Sequence, residues 1–230
     1  MRTVAIALTI GRASARGFLG CLARQTFPIP TLLWVDDVPE LQVRADVHVV
    51  HGPALGSARS IGLVRRAACA YAIERMGADA LLFLDDDDYY APDHYQTLCE
   101  ALETAEWVGA RRFGVVSTGQ PPQSVTLADD SLGTGPPSTW GMRVTTYLAG
   151  GGYQDDTLEE VELTRRIGRE RLTRHDRVTH VRRLSGPHLS ITVGYDRAAL
   201  RKLVQPAVEL YPEQPEEYRS LDAWCRAVGG

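Results

Sequence analysis

The sequence predicts a single-domain α/β fold, in which a doubly wound and mostly parallel sheet is flanked by helices. Several runs contain consecutive rather than alternating hydrophobic residues, which is typical of strands that are covered on both faces. Segments with a helical spacing of apolar residues lie between these runs, as expected for βα units. With 230 residues and 44% hydrophobic content, the chain is long enough to bury a large core.

Four segments have the composition of buried strands. They are TVAIALTI near residues 3–10, TLLWVDD at 31–37, VHVV at 47–50 and ALLFL at 80–84, of which VHVV is the weakest. Three helical patterns accompany them, and Pro92 is placed for the first turn of the third. The apolar positions of the first helix are Phe18, Cys21 and Leu22, those of the second are Ile61, Val64, Ala68, Tyr71 and Ala72, and those of the third are Tyr95, Leu98, Cys99 and Leu102.

The second half of the chain is less regular. Residues 117–139 are rich in Gly, Pro, Ser and Thr, which predicts a long loop with room for a short hairpin. Residues 155–168 predict a charged helix, and an arginine-rich segment follows to about Arg183. No repeat and no linker divides the chain into separate domains.

Composition narrows the classes of function. The cysteines Cys21, Cys69, Cys99 and Cys225 include no CxxC pair, which argues against a zinc site and a disulfide framework and suits the reducing cytoplasm. The formal net charge of −4 gives no overall attraction to nucleic acid. No apolar run reaches the ~20 residues of a membrane-spanning helix, so we expect no membrane anchor.

Four consecutive aspartates, Asp85 to Asp88, directly follow the buried strand at 80–84. Carboxylates this close together repel one another. In open α/β sheets, ligands bind beyond the carboxyl ends of the strands, which is where these aspartates lie. Asp85 and Asp87 can project to one side and hold a divalent cation, while Asp86 and Asp88 turn away or cap the next helix. An acidic turn that only caps that helix is the alternative.

This segment resembles a motif of family 2 glycosyltransferases, the nucleotide-sugar enzymes of the GT-A fold. LLFLDDDDYYAPDHY is similar to their "fLDaDDw…P…l" segment. Further matches occur in the family's order, with Ser60 in place of the usual Asn and Val38-Pro39 in place of Gly-Ser. They are IALTIGR, LLWVDD, GSARSIGL and TWGMRVTTYLAGGGYQDDTLEEVELTRRI, so that the resemblance spans about residues 3–190.

The resemblance implies a GT-A (Rossmann-like) fold and a set of donor ligands. A nucleotide, expected to be uridine diphosphate, would be bound by Thr9, Arg12, Asp36 or Asp37, Arg59, Asp85 and Asp86. The metal, Mn²⁺ or Mg²⁺, would be held by Asp87, Asp85 and His188. Residues 1–105 would then form the nucleotide-sugar-binding half and 106–205 the acceptor-side half, before an acidic tail at 206–230.

A pair of glutamates, Glu159 and Glu160, occupies the place of the family's catalytic Glu-Asp pair. A carboxylate there can remove the proton of an acceptor hydroxyl, and the resemblance places this base at Glu160. Two structural alternatives remain open at this point. Glu160 has the spacing of a capping box with Thr157, and Glu159 can form helix ion pairs with nearby arginines on a solvated face.

The acceptor side is the least defined part of the prediction. Trp140, Gly152 and Tyr153 flank it, and the aromatic rings either stack on a sugar or belong to the core. The arginine-rich segment at 164–183, which includes Arg174 and Arg177, suggests a polyanionic acceptor, specifically DNA with a hydroxymethylated base. The alternative is that arginine simply replaces lysine throughout, because Lys202 is the only lysine in the chain.

The predicted function is therefore a metal-dependent, inverting, cytoplasmic glycosyltransferase that uses a nucleotide-sugar donor. Rival hypotheses are a saccharide or lipid acceptor, a nucleotidyltransferase, and an inactive sugar-nucleotide or glycan-binding module. His51, His94, His175 and His180 form no usable pattern, and we expect most of them in loops or at the surface.

Overall fold

The chain forms an α/β structure whose sheet is covered by helices on both faces. The computed structural model describes residues 1–9, 14–35, 47–52, 61–117, 125–129, 133–154, 159–184 and 204–206. The strands in these ranges are β1 Thr3–Thr9, β2 Thr31–Val35, β3 Val47–His51, β4 Ala80–Asp85, β5 Tyr89–Tyr90, β6 Trp107–Ala110, β7 Arg112–Ser117, β8 Val125–Asp129, β9 Gly141–Arg143, β10 Leu172–His175, β11 His180–Leu184 and β12 Val204–Pro206. The α-helices are α1 Ser14–Ala23, α2 Ile61–Glu74, α3 His94–Thr104, α4 Val144–Ala149 and α5 Glu159–Ile167.

The central sheet has the order β10-β6-β9-β4-β1-β2-β3 within the described residues. β1 pairs in parallel with β2 and β4, β2 pairs in parallel with β3, and only β9 runs antiparallel to its neighbours there. The predicted mostly parallel, doubly wound sheet is thus confirmed, and the four predicted strands are all present.

Both faces of this sheet are buried. Along β1, Ala5 and Ala7 belong to a core cluster with Phe18 of α1 and Leu98 of α3. The alternate β1 positions Val4 and Ile6 belong to a second cluster on α2, α4 and α5. Continuous apolar runs are needed because every side chain of the strand meets a packed layer.

A second, smaller sheet lies beside the aspartate run, with the order β12-β8-β7-β11-β5 in the described part of the chain. Its β7 and β8 pair antiparallel. β8 lies inside the segment 117–139 that was predicted as a loop with a short hairpin, whereas β7 begins at Arg112, before that segment. β11 pairs antiparallel with β5, so that His180 lies opposite Tyr90. Residues 180–184 therefore lie next to β5, the strand that directly follows the aspartates. The sequence does not predict this pairing.

Two details of the helices differ from the prediction. α3 begins at His94 rather than at Pro92, because the carbonyl of Pro92 accepts hydrogen bonds from the backbone and hydroxyl of Thr26 and is held outside the helix. On α2 the buried face is rotated, so that Ile61 is exposed while Arg65 is buried.

The cysteines agree with the expectation of small buried hydrophobes. Cys21, Cys69 and Cys99 are buried free thiols, and Cys225 lies outside the described residues. Burial raises the pKa of Cys69 to about 12.

Among the described helices, none combines the length and apolar character needed to cross a membrane.

Candidate active site

The carboxyl ends of β1 and β4 lie side by side and bring Thr9 next to the aspartate run. Leu8 pairs in register with Asp85, and the Thr9 hydroxyl donates to Oδ2 of Asp86 at 2.6 Å. Thr9 and Asp86 are only 3% and 7% exposed. These two predicted nucleotide ligands therefore hold the strand ends together in this structure, and their contact with a nucleotide stays a prediction.

The four aspartates alternate between two environments. Asp86 and Asp88 are buried, whereas Asp85 and Asp87 are partly exposed. This alternation is the one expected if Asp85 and Asp87 project to the accessible side. The N-cap residue of α3 is Asp93, which lies outside the run and makes no side-chain capping hydrogen bond, so none of the four aspartates is the N-cap residue.

Asp88 belongs to a buried polar network with Ser138 and His180. Its Oδ2 accepts a hydrogen bond from the Ser138 hydroxyl at 3.0 Å and lies 2.7 Å from Nε2 of His180. His180 and His94 are completely buried, so the expectation that they lie in loops or at the surface is wrong. The reason is the pairing of β11 with β5, which covers His180 with the ring of Tyr90.

A guanidinium group joins the aspartate run to the predicted catalytic helix. Arg65 of α2 is 9% exposed and donates to Oδ1 of Asp85 at 3.1 Å, to Oε1 of Glu159 at 3.3 Å and to Oε1 of Glu160. We call these four residues the carboxylate cluster. The guanidinium also faces the ring of Tyr153, 5.7 Å from its centroid.

Gly62 permits the close approach of α2 to α5 that forms this cluster. A Cβ atom at position 62 would lie 2.1 Å from the carbonyl oxygen of Gln154 and 3.0 Å from Cβ of Glu159. Arg65 lies one turn further along the same face of α2 and so meets Glu159 and Glu160 at the start of α5.

We expect Gly62→Ala to destabilise the protein by about 1–3 kcal/mol, because the added methyl group must displace a backbone carbonyl. Gly20→Ala is the matched control, since a Cβ there meets nothing within 4 Å on α1. Alanine should stabilise that helix by roughly 0.5–1 kcal/mol. Urea unfolding of both variants gives the comparison, and equal free energies of unfolding would contradict the proposed close contact.

Burial sets the protonation of the carboxylate cluster. Desolvation raises the pKa of Glu159 to about 7, against the opposing attraction of Arg65. Desolvation likewise raises the pKa of Asp85, and Arg65 again opposes it. Burial acts to lower the pKa of Arg65 itself, but the surrounding carboxylates outweigh it and raise that pKa, so Arg65 stays charged.

The raised pKa of Glu159 predicts a pH-dependent stability. Between the ordinary value of 4.5 and about 7 the folded state retains a proton that the unfolded state releases, so the free energy of unfolding should fall as pH rises through this window. Glu159→Gln should flatten this slope, whereas Glu162→Gln on the exposed side of α5 should not. Thermal melts from pH 4.5 to 7.5 test this, and equal slopes would contradict it.

The two glutamates of the predicted catalytic pair differ in accessibility. Glu159 is 2% exposed, and its Oε2 has no hydrogen-bond partner among the described residues. The side chain of Glu160 is 21% exposed. The alternative of helix ion pairs on a solvated face is correct for Glu162, whose Oε2 lies 2.8 Å from Nη2 of Arg165. It is wrong for Glu159, because that side chain is buried. The capping-box partner Thr157 lies outside the described residues.

The predicted acceptor-side aromatics are part of the core. Trp140 is 1% exposed, donates from its indole nitrogen to the carbonyl of Thr134 and packs on another tryptophan. Tyr153 is completely buried, and its backbone N–H donates to the hydroxyl of Tyr147. Gly152 has a φ of +63°, and a Cβ there would lie 2.9 Å from that hydroxyl. The core alternative therefore describes both rings.

Several arginines of the segment 164–183 already have intramolecular partners. The guanidinium of Arg174 donates to the carbonyl of Gly133, and that of Arg177 lies 2.5 Å from a carboxylate oxygen of Asp93. Other partners in the segment are Glu162 for Arg165, the carbonyls of Gly150 and Gly152 for Arg166, and Glu106 for Arg171. Phosphate binding by these arginines would have to compete with such contacts.

The remaining predicted ligands cannot be placed. Arg12, Asp36, Asp37, Arg59 and His188 lie outside the described residues. In the ranges that are described, no group of three or more His, Cys, Asp or Glu side chains is arranged to hold a metal ion. Asp85 and Asp87 nevertheless supply partly exposed carboxylates at one strand end, and hard cations prefer such ligands. The carboxylate oxygens of these two residues are suitable ligands for Mg²⁺ or Mn²⁺. Oδ1 of Asp85 also accepts a hydrogen bond from Arg65.

Arg65 is the residue of this site that sequence reasoning missed. The signal was present, because an arginine interrupts a helical face otherwise formed by small residues. That face consists of Gly62, Arg65, Ala68, Cys69 and Ala72. A charged residue on a buried face needs a charged partner, which indicates an ion pair but not its identity.

Comparison with known proteins identifies the fold. No protein-family model matches the chain, and no curated protein matches it in sequence. Among solved structures, S. aureus TarS 1–349 in complex with UDP-GlcNAc superposes with a TM-score of 0.59 at 16% identity, covering 96% of this chain and 69% of TarS 1–349. The chain has a glycosyltransferase-like fold. The predicted GT-A class is thus confirmed, while membership of family 2 stays a prediction.

Two further TarS structures give the same result. One has a TM-score of 0.59 at 16% identity and covers 96% of this chain but 41% of the TarS chain. TarS 1–349 in another crystal structure has a TM-score of 0.52 at 16% identity, with 99% of this chain and 70% of TarS 1–349 covered. At this level of identity the similarity concerns the fold, and the chain spans less than half of the second TarS chain.

Proposed function

We propose that the chain is a glycosyltransferase that moves a sugar from a nucleotide-sugar donor, expected to be a UDP-sugar, to an acceptor hydroxyl. The observation that carries this proposal is the carboxylate cluster, which lies at the carboxyl end of β4 where ligands of such sheets bind. The similarity in fold to TarS, which was crystallised with UDP-GlcNAc, supports a nucleotide-sugar as the donor.

On the donor side, Asp85 and Asp87 have the chemistry required at the diphosphate. Both are partly exposed at the end of β4, and we assign Asp85 to the ribose and Asp87 to a divalent cation. When bound, Mn²⁺ or Mg²⁺ would neutralise the charge that develops on the leaving diphosphate. Arg12, Asp36, Asp37, Arg59 and His188 remain proposed ligands on the strength of the sequence resemblance.

On the acceptor side, Glu160 is the proposed base. Its partly exposed carboxylate can take the proton of the acceptor hydroxyl as that oxygen attacks the anomeric carbon. The bond from the anomeric carbon to the diphosphate breaks, the nucleoside diphosphate leaves, and a single displacement inverts the configuration. Glu159 is a poorer candidate because only 2% of its surface is exposed, which leaves an acceptor hydroxyl little access to its carboxylate.

A donor panel tests the proposal. The protein is incubated with Mn²⁺ and UDP-, GDP- and dTDP-sugars, and the release of nucleoside diphosphate is measured beside an Asp87→Asn control. We expect release from a UDP-sugar by the wild type alone. Pyrophosphate release from a nucleoside triphosphate and a sugar phosphate would instead show a nucleotidyltransferase. Donor binding without any release, over a broad panel of acceptors, would show an inactive binding module.

The acceptor stays the least constrained part of the proposal. A hydroxymethylated base in DNA remains a prediction from the arginine-rich segment, and saccharides or lipids are the alternatives. Duplex DNA binding measured at several salt concentrations should follow a log–log slope of about −0.9 per phosphate contact, which is shallower for Arg174→Ala and Arg177→Ala. Absence of binding at low salt would return the acceptor to saccharides or lipids.

A further inference from the structure

We propose that Arg65 is a positioning residue, which fixes the base Glu160 relative to the donor-side carboxylate Asp85. This assignment rests on the proposed function and deepens it. Glu160 is at the start of α5, Asp85 is at the end of β4, and Arg65 comes from a third element, α2. The guanidinium of Arg65 thus links the two halves of the candidate active site directly.

The geometry of arginine suits this role. A guanidinium presents five N–H donors in a rigid fork, so different nitrogen atoms can hold different carboxylates at fixed angles. In Arg65 one terminal nitrogen donates to Oδ1 of Asp85, and the other donates to Glu159 and Glu160. A lysine ammonium is a point charge and could not reproduce this division.

The surroundings keep the guanidinium in place. Arg65 is 9% exposed, and the buried ring of Tyr153 covers one side of it at 5.7 Å. Tyr153 is itself held edge-on against Phe83 of β4 and packed against Tyr147 of α4. Glu160 is therefore anchored through a rigid neighbour.

A purely stabilising role accounts less well for this arrangement. One cation faces three carboxylates, and the desolvation cost of burying such a group commonly offsets its Coulombic gain. The arrangement does supply precise placement of the two carboxylates that the reaction needs. A displacement of about 1 Å of such a group can lower a reaction rate roughly 10²-fold.

The test compares Arg65→Lys with Arg66→Lys, a matched control on the exposed side of the same helix. We expect Arg65→Lys to lower kcat by about 10- to 100-fold while the dissociation constant for UDP changes less than about threefold. Arg66→Lys should leave both unchanged. A role confined to stability predicts a lower melting temperature with an unchanged kcat per folded molecule, which would overturn the assignment.

A double-mutant cycle shows whether Arg65 acts through the base. In the Glu160→Gln background Arg65→Lys should cause little further loss of kcat, because the group that it positions is already inactive. If the loss of kcat in the double variant equals the product of the losses in the two single variants, the assignment is overturned. If Arg65→Lys does not fold, Arg65→Gln combined with Glu159→Gln removes the cation together with one of its three carboxylate partners, and it should show the same loss of kcat relative to Glu159→Gln alone. Wild-type kcat in this double variant would also overturn it.

The two proposals can fail separately. A wild-type protein that releases no nucleoside diphosphate from any donor overturns the proposed function, and the role of Arg65 falls with it. An active wild type in which Arg65→Lys and Arg66→Lys are equally active overturns only the role of Arg65.

Discussion

Glu160→Gln should lower turnover by roughly 10²–10⁴-fold while the affinity for the nucleotide-sugar donor is retained. The amide has the size of the carboxylate and can still accept a hydrogen bond from Arg65, so the carboxylate cluster should keep its shape. The amide cannot take a proton from the acceptor hydroxyl. Steady-state kinetics with donor and acceptor varied separately measures the effect.

Controls distinguish the base from its neighbours. Glu162→Gln changes a glutamate of the same helix that pairs with Arg165 at the surface, and it should leave turnover unchanged. A capping role of Glu160 predicts little loss of stability or activity in Glu160→Gln. A further carboxylate, Asp156, lies four positions before Glu160 in the sequence. Normal turnover of Glu160→Gln together with an inactive Glu159→Gln or Asp156→Asn would show that the base was assigned to the wrong carboxylate.

Asp87→Asn should abolish turnover and remove the effect of Mn²⁺ or Mg²⁺ on nucleotide binding. Asp87 is one of two partly exposed carboxylates of the aspartate run, and a neutral amide is a much weaker ligand for a hard cation. The fold should survive, because one carboxylate fewer in a crowded run reduces repulsion. Circular dichroism and kinetics of the same preparation test both parts.

Removal of the metal provides the matching control. Wild-type protein in EDTA should behave like Asp87→Asn, and added Mn²⁺ should restore the wild type but not the variant. Asp176→Asn changes an exposed aspartate whose Oδ1 lies 3.6 Å from the guanidinium of Arg111, and it should respond to EDTA as the wild type does. Full wild-type activity in EDTA would contradict a metal-dependent mechanism.

The central sheet could be predicted from the sequence because its signal is local. The runs that form β1 and β4 are apolar at every position, and both faces of these strands are covered in the structure. The accessible positions of Asp85 and Asp87 were also predicted, although Asp86 to Asp88 form a turn after β4 rather than a continuation of the strand, with the backbone N–H of Asp88 donating to the carbonyl of Asp85.

The connections within the site could not be predicted in this way. Arg65 and Glu159 are 94 positions apart, and Asp88 and His180 are 92 apart, so neither pair lies within one periodic pattern. The burial of His180 depends on the pairing of β11 with β5. Composition alone suggested an arginine-rich surface, although the structure gives Arg177 and several of its neighbours intramolecular partners.

Whether an aromatic ring lies in the core or lines a ligand site is also decided by long-range packing. Trp140 and Tyr153 stand beside glycine-rich sequence that resembles an acceptor site, and both alternatives were open. The structure buries Trp140 against Trp107 and Tyr153 against Phe83. The sequence resemblance did not determine which way the rings face.

Calorimetric titration of UDP into the wild type and Asp87→Asn, each with Mn²⁺ and with EDTA, tests the central claim most directly. The claim is that the carboxyl end of β4 holds a nucleotide diphosphate through a metal bound by the aspartates. We expect Mn²⁺ to tighten binding to the wild type by at least about tenfold, which corresponds to roughly 1.4 kcal/mol, and to have no effect on Asp87→Asn. Equal affinities under all four conditions, or no binding to the folded wild type, would contradict it.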